Sequence, residues 1–427
     1  MLRIAIVLAI ALRLSLILLL GNLDRPKVFR VDDSVTYTIV AQSLASSGEF
    51  LDAQGGPEIF RTPGYPLALA PLMALHAPDA AIVAMNIVFA VLIVIVTWRI
   101  ARQLFGDDRV AGICAIVVAV EPTMLIWSLK VMPETLFTLC LVLFAYAAIR
   151  EKPIAAAFAL CAAVYVKPIA WPLVLIVPLV AVWFHPKRAL IFLATSLALL
   201  APWHIRNYVT AGYAGFSSLM DRSIYISAGG SVAARQQGVP FAEMRRQLIA
   251  RDDARAGDPA RFQTMRREGA SRMASDPFGW ATTHVSGMFR TLFEPGAAEY
   301  ARTFGLYSKG GQAAIVDGGF TAFARAHPIL IAVSIVWALV LLPLVLLPIV
   351  AAIRLRGRVP AESRLAFGLF ALITIYLVVA GGGVPGYHRF RVPAVPFLVL
   401  MSAFAYTGRR CSFPSPPPAR SQQPSAS

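Results

Sequence analysis

Apolar runs of near-membrane length recur along this chain, beginning with "IAIVLAIALRLSLILLLG" at Ile4–Gly21. A helix needs about 20 apolar residues to cross the hydrocarbon layer, somewhat fewer where flanking residues snorkel or the bilayer thins. On that measure the sequence predicts an all-α polytopic membrane protein of about ten transmembrane helices. The expected spans are Ile4–Gly21, Asp79–Trp98, Arg109–Ser128, Glu134–Arg150, Ile154–Val166, Ile169–Phe184, Ala189–Trp203, Ile329–Ile353, Leu365–Ala380 and Pro393–Tyr406. Composition agrees. Of 427 residues, 58% are hydrophobic and only 15% charged, more apolar surface than a water-soluble chain can hide. The first run has the look of a signal peptide but no small-residue cleavage site before "NLDRPK", so a retained anchor is expected.

The formal net charge is +16, and its placement orients the chain. With both termini cytoplasmic, the inside connections are "RIARQLFGDDR", "IREKP", "HPKRA", "RLRGRVPAESR" and the tail "GRRC". Each is short and basic, as the positive-inside rule requires. The high basicity then reports topology and contact with membrane lipids; no nucleic acid partner is expected. Residues 1–407 form the membrane domain, and the Pro/Ser-rich residues 408–427 read as a disordered cytoplasmic tail. Cys114, Cys140 and Cys161 lie within apolar runs and Cys411 in the tail, with neither metal spacing nor a disulfide framework.

Two outside segments are long, 22–78 and 204–327. In the first, "YPLALAPLMALHA" is apolar but too short to span, which suits a helix at the outer interface. "YVKPIAW" reads as an outside turn or as a polar break in one bent pair; Lys-Pro favours the turn, because the residue before proline disfavours helix and lysine disfavours lipid. In the second, Asp258-Pro259 and Asp276-Pro277 are helix starts, a capping carboxylate followed by proline at the first helical position. After Asp276, the residues Ala281, Val285, Met288, Phe289 and Leu292 repeat at helical spacing. That amphipathic helix has two equal readings: lying on the membrane or covering the site, and simple packing against the bundle.

Polar residues gather at the outer ends of the runs. They are Asp32 and Asp33, Arg61 in "FRTPGYP", Lys130 and Glu134 in "SLKVMPE", Lys167, Arg206 and Asn207 in "PWHIRNY", and His388, Arg389 and Arg391 in "GYHRFRVP". Charges on one side, with little at mid-membrane, point to an outward-facing polar cleft. Asp32, Asp33 or Ser34 is expected to cap the helix that begins at "SVTYTIVAQSL". Capping needs only one carboxylate, and the other is free to act as a general base kept ionised by the helix N-terminus. Arg206, Arg389 and Arg391, with Lys167, suit a clamp on a phosphate leaving group. A sugar phosphate carried on an isoprenoid lipid fits such a site.

The stretch "DDSVTYTIVAQSLASSGEF…FRTPGYPLALAPL" resembles the first outer loop of the GT-C membrane glycosyltransferases. The branch it resembles is protein O-mannosyltransferase-like and lipid A aminoarabinose-transferase-like. The match puts the motif aspartate on Asp33, with Tyr37 and Ala41 behind it and Tyr65 within Pro63–Pro66 downstream. "VMPETLF", "APWHIRNYVTAGY" and "YHRFRVPAVPF" are similar to three further landmarks in the same order. The resemblance implies inverting transfer of a sugar from a polyprenyl-phosphate donor to an acceptor hydroxyl outside the membrane, with Asp33 as base. The acceptor would be a lipid, a glycan or a protein. Many O-mannosyltransferase-like members carry Asp-Glu where this chain has Asp32-Asp33, which keeps Asp32 a candidate for the same role. The additional acidic motifs of metal-using branches are not identified in this sequence, so no metal and no cofactor are expected. The Arg/Ala-rich composition suggests a bacterial inner membrane.

Two other classes compete. A secondary transporter would have related halves and broken helices with polar groups at mid-membrane, and the sequence displays neither. An O-antigen-ligase-like or polymerase-like enzyme would also present arginines and histidine in a large outer loop, without needing a carboxylate just after the first span.

Overall fold

A computed structural model describes residues 1–21, 28–255, 258, 260–305, 325, 328–355, 360–384 and 386–407. The expected tail at 408–427, with Cys411, lies outside them, as does Pro259 of the Asp258-Pro259 helix start. The protein is all-helical, 80% helix, with no strand among the described residues beyond a single bridge between Leu51 and Pro57.

Helix α1 (Leu2–Leu20) leads to α2 (Ser34–Ser47) and α3 (Gly64–Ala74), then to α4 (Asp79–Phe105). Next come α5 (Asp108–Val120), α6 (Pro122–Ser128), α7 (Glu134–Ile149), α8 (Pro153–Val166), α9 (Leu173–Ala181) and α10 (Pro186–Ala211). A satellite of shorter helices follows: α11 (Leu219–Arg222), α12 (Gly229–Gln237), α13 (Phe241–Asp253) and α14 (Arg261–Ser275). Then come α15 (Pro277–Phe293), α16 (Ala297–Thr303), α17 (Pro328–Arg354), α18 (Ala361–Ala380) and, after a 3-10 turn at His388–Ala394, α19 (Val395–Thr407).

Among the described residues, six helices are long and apolar enough to cross a membrane: Leu2–Leu20, Asp79–Phe105, Pro186–Ala211, Ile331–Arg354, Glu362–Ala380 and His388–Thr407. A bent pair, α5 and α6, makes a seventh if counted as one span. The expectation of ten is not reached on this measure. Helices α7, α8 and α9 have 16, 14 and 9 residues. At ~1.5 Å per residue they are shorter than the ~30 Å hydrocarbon layer. Proline explains part of the shortening: Pro133, Pro153 and Pro172 each stand at or just before a helix start, where a missing N–H costs nothing.

The predicted span Arg109–Ser128 is a broken helix. Asp107 caps α5 by accepting from Arg109 N (2.7 Å) and Val110 N (3.2 Å). Glu121-Pro122 then ends α5 and starts α6 at an angle of 54°. The Glu121 carboxylate caps the second piece by accepting from Met124 N (2.8 Å) and Thr123 Oγ1 (2.6 Å). Arg13 of α1, 1% exposed, fills the break, donating to Ser128 Oγ (2.8 Å) and Ala119 O (3.3 Å). Broken backbone inside an apolar layer persists only where such partners satisfy it. The sequence-based expectation that apolar runs hold neither a broken helix nor buried charge is therefore corrected.

The "YVKPIAW" turn is present: α8 ends at Val166, Lys167 is extended, and Pro168–Ala170 forms a 3-10 turn. The Asp276-Pro277 start is present as well, with Asp276 accepting from Gly279 N (2.8 Å). Satellite helices α11–α14 enclose their own small core around Tyr225, Met244, Leu248 and Met265. The segment 28–63, the start of α7, the ends of α8 and α10, and the 3-10 turn before α19 meet on one side of the bundle, which we term the loop face.

Candidate functional site

Four chain segments converge on the loop face through their charges. Asp33 stands at the start of α2, yet its carboxylate does not cap that helix. Ser34 instead accepts from Val31 N (2.9 Å) through its hydroxyl. The Asp33 side chain thus takes no capping role, and both its oxygens are left for other partners. Arg61 Nη2 donates to Asp33 Oδ1 (3.0 Å), and Arg389 Nη1 donates to Asp33 Oδ2 (3.0 Å). Arg389 Nε lies 3.2 Å from Glu134 Oε1, which also accepts from Lys167 Nζ (3.0 Å). The chain of contacts runs Arg61–Asp33–Arg389–Glu134–Lys167, three cations to two carboxylates.

Each cation is held from behind. Arg61 donates to Thr36 Oγ1 (2.8 Å) and Tyr37 Oη (3.1 Å), and its guanidinium lies over the Tyr37 ring. Tyr65 packs edge-on against Tyr37, ring centres 5.4 Å apart. Arg389 is surrounded by the rings of Trp127, Tyr387 and Phe390. Such stacking orients a guanidinium without consuming its donors. Gly64 explains the Pro63–Pro66 motif: a Cβ there would stand 2.7 Å from the backbone of Tyr165 and Val166. Only glycine lets the start of α3 close on the end of α8, next to Lys167.

Burial is uneven. The side chains of Glu134, Arg61 and those of Arg389 and Lys167 are nearly enclosed, while that of Asp33 is 41% exposed. Burial pushes the Asp33 carboxyl up, but the guanidinium groups of Arg389 and Arg61 outweigh it and hold the group at about 2. For Lys167, burial pulls the ammonium below its ordinary range, opposed by Glu134. Beside this network runs an apolar groove of about 610 Å3, whose walls include Pro63, Gly64, Leu136, Tyr165 and Val166. Several of these residues are sequence neighbours of Arg61, Glu134 and Lys167, so the groove and the charges share one framework.

The structure keeps other predicted residues out of this network. Arg206 is occupied by loop carbonyls, donating to Phe50 O (2.8 Å) and Glu58 O. Asn207 donates to Gly215 O and Phe216 O, both at 3.0 Å. Both fasten the loop face rather than offer donors to a ligand. Arg391, fully buried, donates to Thr291 O (3.1 Å), Leu292 O (2.9 Å) and Glu294 O (2.9 Å), the carbonyls at the end of α15. His388 is buried with Nδ1 3.3 Å from Glu294 Oε1. Asp32 is exposed, and Asp33, not Asp32, lies between the two guanidinium groups. Arg206 and Arg391 thus stand outside the chain of contacts around Asp33. A position at the end of a span fixes height, not the direction in which the side chain points.

Sequence reading missed Arg13, Glu121, Glu294 and the aromatic enclosure of Arg389. The arginine within an apolar run and the Glu-Pro pair within another were the available signals. Lys130, noted in the sequence, is buried and ties segments together, donating to Val28 O (2.8 Å) and Thr303 Oγ1 (2.9 Å) with Glu299 Oε1 3.3 Å away. Among the described residues, no group of three or more His, Cys, Asp or Glu side chains is placed to hold a metal ion. Comparison of the chain with family models, with curated proteins and with solved structures finds no match in any of the three.

Proposed function

We propose that this chain is a membrane glycosyltransferase of the GT-C type, moving a sugar from a polyprenyl-phosphate donor to an acceptor hydroxyl on the extracytoplasmic side. The observation that carries the reading is the Arg61–Asp33–Arg389–Glu134–Lys167 network beside the apolar groove. Cations suit the donor phosphate, the groove suits the first isoprene units, and the half-open carboxylate suits an approaching alcohol.

In the proposed step the acceptor oxygen attacks C1 of the sugar and its proton passes to Asp33. The bond from C1 to the phosphate oxygen breaks with its electron pair, leaving polyprenyl phosphate and inverted configuration at C1. Arg389, Arg61 and Lys167 take up the charge that grows on the departing phosphate. A carboxylate held at about 2 is a weak base. The donor phosphate relieves this by competing for the same guanidinium groups, so that Asp33 gains basicity as the donor seats. The base is thereby made competent only in the loaded site.

Purified protein incubated with radiolabelled polyprenyl-phosphate sugars and a membrane extract should release lipid phosphate and label an acceptor, and Asp33→Asn should do neither. Failure of every donor to turn over under conditions where the protein stays folded would sink the reading. A second reading, a secondary transporter, is favoured by the broken helix at Glu121. It predicts solute uptake into vesicles without any covalent product.

A further inference from the structure

Helix α15 turns the wrong face outward for a helix bathed in water. At roughly 100° per residue, Phe278, Val285 and Phe289 share one side. They are 74%, 46% and 60% exposed. The opposite side carries Gly287 and Thr291, both buried, and the flank carries buried Gly279. Beside them, Arg290 Nη2 donates to Gly383 O (3.0 Å) and His284 Nε2 lies 2.9 Å from Val379 O. Contact is backbone-close, since a Cβ on Gly287 would stand 2.0 Å from Gly383 O. Gly287, Thr291, His284 and Arg290 face inward while Phe278 and Phe289 face out beside the exposed Thr282 and Ser286, close to the reverse of the pattern that water selects.

The inward contacts also fix the height of the helix. Val379 belongs to the last turn of α18, a candidate span at Glu362–Ala380, and Gly381 and Gly383 follow it directly. Helix α15 therefore packs against the end of a candidate span. It also packs against α17, whose Ile329 and Val333 are exposed in the same way. Both helices therefore leave apolar side chains uncovered by the rest of the protein.

We infer that α15 is an interfacial helix whose Phe278–Val285–Phe289 face is occupied by the headgroup–acyl boundary of the bilayer that α18 crosses. Helices of this kind sink about 5–10 Å into that boundary. The partner is lipid, and this holds whatever reaction the loop face performs. Because Arg290 and Arg391 tie α15 to the segments on either side of Arg389, the lipid surface sets the level of that arginine.

The test uses the full chain in vesicles of phosphatidylcholine and phosphatidylglycerol. Single fluorophores are placed at Phe278→Cys, Phe289→Cys and, as a water-facing control on α13, the exposed Arg245→Cys. The background is Cys411→Ser, and the remaining cysteines are buried. A lipid carrying a nitroxide near the top of its acyl chain should quench the two α15 probes at least about threefold more than the control, and aqueous iodide should show the opposite order. Equal iodide quenching at all three positions would place α15 in water and overturn the inference. Shielding of the α15 probes from both quenchers would overturn it too, by showing a protein partner or a second copy on that face.

Discussion

Two aspartates in this molecule sit between two arginines, and they do so in opposite ways. In the satellite bundle, Asp252 is completely buried, 3.2 Å from Arg222 Nε and 2.5 Å from Arg261 Nε. Its arginines reach toward solvent, 30% and 18% exposed. On the loop face the order inverts: Arg61 and Arg389 are 7% and 13% exposed and Asp33 is 41% exposed. A buried acid covered by flexible cations is a fastening, since no ligand reaches the carboxylate. Enclosed, stacked cations presenting an open acid leave the carboxylate within reach of a ligand, with the charges already aimed. Equal pairing with unequal exposure is what separates structure from chemistry here.

Substitution breaks this comparison most sharply at the two acids. Asp33→Asn should lower transfer by about 100- to 10,000-fold, the usual range for loss of a general base, with the unfolding midpoint nearly unmoved. If the Asn variant keeps its turnover, the base lies elsewhere and the contrast with Asp252 loses its meaning. Asp252→Asn should do the reverse. It leaves Arg222 and Arg261 without their shared anion and should cost about 3 kcal/mol in denaturant unfolding, while folded protein retains its turnover number. Next in size, Arg389→Lys keeps the charge but not the two-pronged geometry. It should raise the donor KM about tenfold and leave the acceptor KM alone; an acceptor defect would remove Arg389 from the phosphate.

Gly287→Ala tests whether α15 and the Gly383 turn hold the arginine segment. Its methyl meets backbone, so a loss of about 1–3 kcal/mol in stability is expected from denaturant curves, where Gly368→Ala, with open space around it, should change little. The smallest effect concerns pH. Asp33 has a folded pKa depressed to about 2, against about 3.9 when unfolded. Its ion pairs therefore stabilise the fold fully above the unfolded value, and the contribution is lost as pH falls through the folded one. For the proposed transfer, kcat/KM should be flat down to about pH 5, and kcat should fall at a higher pH than kcat/KM if a seated donor releases Asp33 from its arginines. Identical acid limbs for both constants would rule out that release.

Local chemistry was readable along the chain wherever neighbours in sequence decide the outcome. The Lys167-Pro168 turn and the Asp276-Pro277 helix start follow from backbone rules, and both stand where expected. Convergence of Asp33, Arg61, Glu134, Lys167 and Arg389 was legible only as a shared height at the ends of apolar runs. Arg206 and Arg391 share that height yet donate to backbone carbonyls outside the cluster. Glu121 escaped because hydropathy averages over a window, and one Glu-Pro pair hardly lowers the mean of the run that it breaks.

Sequence alone, then, determined that this protein is helical, apolar and punctuated by proline and charge at one level, because hydration and backbone stereochemistry act residue by residue. Tertiary structure decided which charges meet. Direction around a helix axis, the filling of a broken helix by Arg13, and the enclosure of Arg389 by three rings all depend on side chains far apart in the chain. Whether a carboxylate becomes a fastening or a reactive group is likewise a matter of what lies over it in space.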